Sequence, residues 1–188
     1  MKINVGISNR HVHLNNEDYK ILFGDIPLTK RNDLTQPGMC AYNETVTIKG
    51  TKRSIENVRL LGPLRDYTQV EISKTDAYFL GCNPPVRNSG DLEDADSIII
   101  IGPYGEIERK AAIIATRHIH VDKKIRREHN LEGIEKVCVK IGGEKSGIIN
   151  NVYLKDSEEA YFELHLDTDD ANGFLLNQGD EVEIIDNE

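Results

Sequence analysis

A chain of 188 residues is long enough to bury one large or two small hydrophobic cores without covalent staples. A formal charge of −9 and a pI near 5.2 exclude nucleic-acid or acidic-membrane binding as its main activity, because phosphate backbones require a net basic face. Cys40, Cys82 and Cys138 are odd in number, far apart and form no C-x-x-C, which argues against a disulfide framework or thiolate metal site and for a reducing cytoplasm.

In chain order, Ile3, Val5 and Ile7 alternate with Asn4, Gly6 and Ser8, a half-buried strand leading directly into Arg10-His11-Val12-His13. No basic-then-apolar signal segment precedes it, and no apolar run approaches the ~18 residues a spanning helix needs, so a soluble protein without a membrane role is expected. NNEDYKILFG has the Asn cap, acidic first turn and terminal Gly of a short helix. Strands are predicted at Thr45 to Lys49, Asn57 to Leu61 and Gln69 to Ile72, and SKTDAYFLG then repeats the helix grammar. The loop Asn83 to Ser97, rich in Pro, Gly and Asp, is the best candidate domain boundary. Strands at Ser97 to Ile101 and Ala111 to Ala115 lead into Arg117-His118-Ile119-His120, after which Asp122 can cap a basic turn through Arg127. Further strands are predicted at Lys136 to Ile141, Ile148 to Leu154, Tyr161 to Leu166 and Glu181 to Ile185. So many short strands separated by Gly-bearing turns read as barrels or sandwiches rather than a parallel α/β sheet. The basic clusters at Lys49 to Arg53 and Lys123 to Arg127 read as solvated faces, with weak potential to meet a polyanionic small molecule.

The two Arg-His-aliphatic-His motifs hold four of the six histidines. Chance would give roughly 0.2 H-x-H pairs in such a chain, so two pairs, each preceded by Arg, call for a physical cause. In a strand both imidazoles of an H-x-H project to one side, where they can share an ion; a helix would aim them roughly 200° apart. The flanking patterns favour strands, and the duplication points to a metal site drawing on both halves of the chain. Two further residues meet the demand for ligands: His165 lies on the face opposite Phe162, Leu164 and Leu166, and Glu71 on the face opposite Val70 and Ile72. His129 lacks strand context and reads as an ordinary surface residue. Imidazole and carboxylate donors without thiolate suit Zn²⁺ and are compatible with Fe²⁺, Co²⁺, Ni²⁺ or Mn²⁺. Five histidines and a glutamate are too many for one open ion and enough for two with three protein ligands each. Arg65, six residues before Glu71, can hold a phosphate bidentately or simply pair with Asp66.

Taken together, VGISNRHVHL, ENVRLLGPLRDYTQVEIS, ATRHIHV and ELHLDTDDAN resemble, in order and from Val5 to Asn172, the PduL-type phosphotransacylases, or phosphate propanoyltransferases. The resemblance implies a mainly β fold of two β-barrels capped by short helices, with the active site at their junction. The expected domains are 1–28 plus 110–188 for the discontinuous first barrel and 29–109 for the second. It implies two Zn²⁺ per chain, one on His11, His13 and Glu71 near the coenzyme A sulfur and the other on His118, His120 and His165. It also places phosphate on Arg65 as the catalytic residue, and coenzyme A on Ile7, Ser8, Asn9, Lys52, Arg59 and Asn172. The implied reaction is reversible acyl transfer between acyl-CoA, with a propanoyl or acetyl group, and inorganic phosphate. Members that enter bacterial microcompartments usually carry an amphipathic N-terminal extension, whereas Lys2 here is followed at once by the first strand; the expectation is a cytoplasmic enzyme unless such an extension was removed. The acyl-chain preference and a homo-oligomeric state are left open. Competing readings are a zinc-dependent thioester or phosphoester hydrolase and a non-catalytic metal-binding module.

Overall fold

The computed structural model describes residues 1–157 and 161–185. Along the chain run β1 (Lys2–Ser8), β2 (His11–His13), α1 (Asn16–Phe23), β3 (Lys30–Asp33), β4 (Cys40–Lys49), β5 (Ser54–Gly62), β6 (Gln69–Glu71), α2 (Lys74–Leu80) and β7 (Val86–Arg87). They are followed by β8 (Asp96–Ile101), β9 (Glu106–Ala115), β10 (His118–Asp122), α3 (Lys123–Glu128), β11 (Lys136–Ile141), β12 (Gly147–Ser157), β13 (Glu163–Asp167), α4 (Thr168–Gly173) and β14 (Glu181–Ile185). No described helix is long and apolar enough to cross a membrane.

Two units result. The first combines Met1–Asn9 with the chain from Thr116 onward. Its six strands close a barrel in the order β1, β13, β10, β12, β11, β14, with β14 returning to β1. Alternation supplies the core: Ile3, Val5, Ile119, Val121, Val139, Val152, Leu164 and Leu166 are buried together. At about 1.5–3 kcal/mol per side chain, that core is the main force closing the sheet.

The second unit is Arg10–Ala115. Its barrel closes through β4, β5, β2, β6, β9 and β8, with β8 returning to β4, while β3 extends β4 and β7 extends β9. Val12, Val46, Ile48, Leu60, Val70, Ile98, Ile100 and Ala112 fill it.

The two-barrel, mainly β expectation therefore holds, but its boundaries move. The expected breaks after residues 28 and 109 fall instead after Asn9 and Ala115, because β2 pairs with β5 and β6 and α1 packs on β9, all in the second unit. Nor is the loop from Asn83 to Ser97 a boundary. It folds back within the second unit: Val86 and Arg87 pair with β9, and the Gly90 N–H donates to Gln69.

Three helices start where their caps predict, with Asn15, Ser73 and Asp122 each accepting from a backbone N–H of the first turn. Helix α4, capped by Asp167, has no apolar periodicity and was not expected. Helix α1 is pinned through Asp18, whose carboxylate is 1% exposed and accepts from Thr68 (2.5 Å) and from Arg109 Nη2 (2.6 Å) and Nε (3.3 Å). Removing it leaves Thr68 and the guanidinium without their buried acceptor, so Asp18→Ala should cost about 3–5 kcal/mol. The denaturant midpoint at unchanged m-value measures this, and a loss under about 1 kcal/mol would show that water compensates.

Candidate metal centres

Because Val12 is fully buried in the second barrel's core, its neighbours His11 and His13 must project from the other face of β2. Their ring centroids lie 4.9 Å apart. Antiparallel β6 sets Glu71 opposite His11 and Gln69 opposite His13, giving a two-by-two array on one face. Glu71 Oε2 is 3.5 Å from His11 Nε2, and Glu71 Oε1 accepts from Gln69 Nε2 at 2.6 Å. Gln69 also donates to Ser89 Oγ (2.8 Å) and accepts from Gly90 N–H (2.8 Å), so every polar atom of its amide is occupied. Arg65 Nη1 donates to Tyr67 Oη (3.0 Å) and to the same Ser89 hydroxyl (3.2 Å). Among the described residues no ion pair joins Arg65 to Asp66.

The first barrel repeats the arrangement. Ile119 is buried in the core, so His118 and His120 share the opposite face with ring centroids 4.9 Å apart. Strand β13 sets His165 opposite His118 and Glu163 opposite His120. The His165 ring lies 5.0 Å from His118 and 4.9 Å from His120. A carbonyl cannot donate, so the 2.8 Å contact between His118 Nδ1 and Thr116 O fixes the hydrogen on Nδ1 and leaves Nε2 as a lone pair. Each trio, His11 with His13 and Glu71 and His118 with His120 and His165, has donor atoms within 4.8 Å of one another.

Electrostatics suit a cation. Burial above all, then the neighbouring charges of His11 and Arg65, holds His13 well below the ordinary histidine range. Burial, with Lys155 and His165, does the same to His118, and burial with His165 and Lys155 brings His120 down to about 4. Burial pushes Glu71 up, but the charge and hydrogen bond of His11, with help from His13 and Ser89, outweigh it and keep the carboxylate ionised. The neutral imidazoles of His13, His118 and His120 and the ionised carboxylate of Glu71 are in the protonation states that metal ligation requires. His13 Nδ1 is buried with no hydrogen-bond partner, an unsatisfied polar atom in a dry place that a divalent ion would satisfy. The residues present therefore fit Zn²⁺ or a similar ion.

Linkage adds an expectation for the metal-free protein. Unfolded His120 takes up a proton near 6.5 and folded His120 only near 4, so the unfolded state binds more protons in that window and stability is lost as pH falls through it. Denaturation midpoints measured in chelator from pH 7 to 4 should fall less steeply for His120→Asn; identical slopes would remove His120 as a contributor.

Each motif's arginine has the same task. Arg10 binds Asp76 through Nε and Nη2, both at 2.8 Å, and Arg117 binds Asp170 through Nε at 2.8 Å and Nη2 at 2.6 Å. Asp76 and Asp170 lie three residues after the caps Ser73 and Asp167, which themselves lie two residues after Glu71 and His165. The duplication is thus wider than the histidines: ligand, cap and arginine acceptor recur at the same spacing in both units. Sequence reading missed Asp76 and Asp170, which the repeated spacing would have revealed, and Gln69, Ser89 and Glu163.

The remaining candidates are spread over both units. In the first, the Ile7 N–H donates to Gln178 Oε1 (2.7 Å), Ser8 is half-buried, and Asn9 and, on α4, Asn172 are exposed. In the second, Lys52 is exposed with its ammonium 5.4 Å from the Tyr78 ring centroid. Arg59 sits beside His11 in the sheet, its guanidinium donating to the carbonyls of Tyr42 (3.1 Å) and Asn43 (2.7 Å). His129 is the exposed C-cap of α3.

Comparison with known proteins gives a consistent answer. Residues 4–177 match a family model described as phosphate propanoyltransferase. The chain is 50% identical over 186 residues to the phosphate propanoyltransferase of Thermotoga maritima, covering 97% of this chain and 88% of the relative. It is 41% identical over 185 residues to that of Rhodopseudomonas palustris, covering 97% and 82%, and 43% identical over 172 residues to that of Salmonella typhimurium, covering 90% and 82%.

Proposed function

The chain belongs to the phosphate propanoyltransferase family and is a phosphate acyltransferase, and from that premise we propose that it moves an acyl group reversibly between coenzyme A and inorganic phosphate. The acyl-CoA would be propanoyl- or acetyl-CoA, and the two trios would each hold one Zn²⁺. The observation that carries this reading is the linkage of Arg65, through Ser89 and Gln69, to Glu71 of the first trio. That connection ties a permanent cation by bridging hydrogen bonds to a carboxylate of the first trio, an arrangement suited to binding an anion near a metal.

In the forward direction a phosphate oxygen attacks the thioester carbonyl, the new C–O bond forms, the C–S bond breaks, and coenzyme A departs as thiolate. Arg65 would hold the phosphate in a two-pronged grip, converting a weak bimolecular nucleophile into a positioned one. Ser89 and Tyr67 steady the guanidinium so that little reorganisation is left for the moment of reaction. The trios His11, His13, Glu71 and His118, His120, His165 would hold the Zn²⁺, which would supply Lewis-acid stabilisation of the developing negative charge. Ile7, Ser8, Asn9 and Asn172 in the first unit and Lys52 and Arg59 in the second are the proposed coenzyme contacts, the two cations suiting its phosphates.

Free-thiol release from acetyl-CoA and propanoyl-CoA, with and without phosphate and before and after chelation, tests the reading. Release should require phosphate and disappear on chelation. Equal release without phosphate would identify a hydrolase instead.

A further inference from the structure

The two arrays differ at two corners: Glu71 stands where His165 does, and Gln69 where Glu163 does. In the second unit the corner opposite His13 is Gln69, an amide; in the first the corner opposite His120 is Glu163, a carboxylate. With Glu71 counted in one and Glu163 in the other, each array carries a single carboxylate. Glu163 is 8% exposed, and an ionisable group is not placed there without specific partners. Tyr161 Oη makes a short hydrogen bond to Glu163 Oε2, and His165 Nε2 lies 3.0 Å from that same oxygen and 2.8 Å from Tyr161 Oη. Across the neighbouring parallel strand stands Gly6, whose Cα is in register with His165. A Cβ there would fall 2.6 Å from Glu163 Oε2 and 3.2 Å from His165 Cδ2, so the absence of a side chain at residue 6 makes room for this pair.

We propose that Glu163 is a positioning residue of the second metal centre, accepting the Nε2–H of His165 and so turning its Nδ1 lone pair toward the trio. This rests on reading the two trios as metal sites. The argument is one of hydrogen-bond accounting. A metal-ligating histidine donates its other ring N–H to a carboxylate or carbonyl, which fixes tautomer and orientation. His118 does so from Nδ1 to Thr116 O and keeps Nε2; His165 does so from Nε2 to Glu163 and keeps Nδ1. The Tyr161 hydroxyl spends its hydrogen on Glu163 and holds the carboxylate in place. Glu163 itself stays outside the group of donors lying within 4.8 Å of one another, as suits a residue acting through His165. Two opposite tautomers are thereby set by two different acceptors, and the carboxylate raises the basicity of its ligand.

The test is titration of the metal-free full chain with Co²⁺, read by ligand-field absorption and by competition with a chromophoric chelator. The wild type should bind at two sites; Glu163→Gln, which keeps the shape and removes the charge, should weaken one of them about 10–100-fold and leave the other unchanged. Tyr161→Phe should weaken the same site by a smaller factor, and it serves as the reading if Glu163→Gln does not fold. Wild-type affinity at both sites in either folded variant overturns the role of Glu163. No Co²⁺ binding by the wild type overturns the reading of the trios instead. Long-range ¹H–¹⁵N correlation on the Zn²⁺-loaded chain gives a readout independent of affinity: His165 should carry its proton on Nε2, and a proton on Nδ1 overturns the inference.

Discussion

Arg65→Ala should lower turnover about 10²–10³-fold and weaken the dependence of rate on phosphate, while metal content and fold stay as in the wild type. The size follows from removing one preorganised charged donor at a reacting oxyanion. Its selectivity follows from where the guanidinium sits. Arg65 donates to Tyr67 and Ser89, both of which can turn to water when it is gone, and it ligates nothing in either trio. Gln69 keeps its grip on Glu71, so the carboxylate stays in place. Arg65→Lys should recover only part of the loss, since an ammonium keeps the charge and forfeits the two-pronged geometry. Steady-state kinetics over a phosphate series, with metal analysis of the same samples, decide it. An unchanged phosphate dependence would remove Arg65 from the reaction, and loss of metal along with activity would make it a structural support.

What the sequence made legible was whatever a period of two could carry. His11, His13, Glu71, His118, His120 and His165 all fall on the strand face away from the core, and alternation alone assigns that face. The caps at Asn15, Ser73 and Asp122 were legible because a side chain bonding to the backbone two or three residues on is a local event. What escaped was non-local. Nothing in His11-Val12-His13 announces that it will pair with Arg59-Leu60 and Val70-Glu71, so the unit boundary was drawn on the wrong side of β2. Composition misled at Asn83 to Ser97, where Pro, Gly and Asp read as a linker; they form a tight return that brings Ser89 and Gly90 to Gln69. Helix α4 was missed because TDDANG, though capped by Asp167, has no apolar stripe, and a helix of six residues is held by its cap and by Arg117 on Asp170 more than by propensity.

His118→Ala should abolish activity to below about one part in 10³ and remove one of the two proposed metal ions. Lewis-acid stabilisation amounts to several kcal/mol, and each 1.36 kcal/mol is a factor of ten in rate. The duplication makes the expected loss partial in metal and near-total in rate. His11, His13 and Glu71 make up their own trio on β2 and β6 in the other unit, so their ion has no reason to leave when β10 is altered. Within the first unit, the substitution leaves Ile119 and Leu164 in the core and the Arg117–Asp170 pair intact, so the barrel should remain closed. Metal analysis against protein concentration, near-ultraviolet circular dichroism and the phosphate-dependent assay on one preparation separate the alternatives. A metal-replete, active variant would exclude the second centre, and loss of both ions in a folded variant would mean that the two trios are not independent. Retention of one ion with loss of turnover would show that the His11–His13 copy of the motif does not suffice alone, which gives the second Arg-His-aliphatic-His a functional reason.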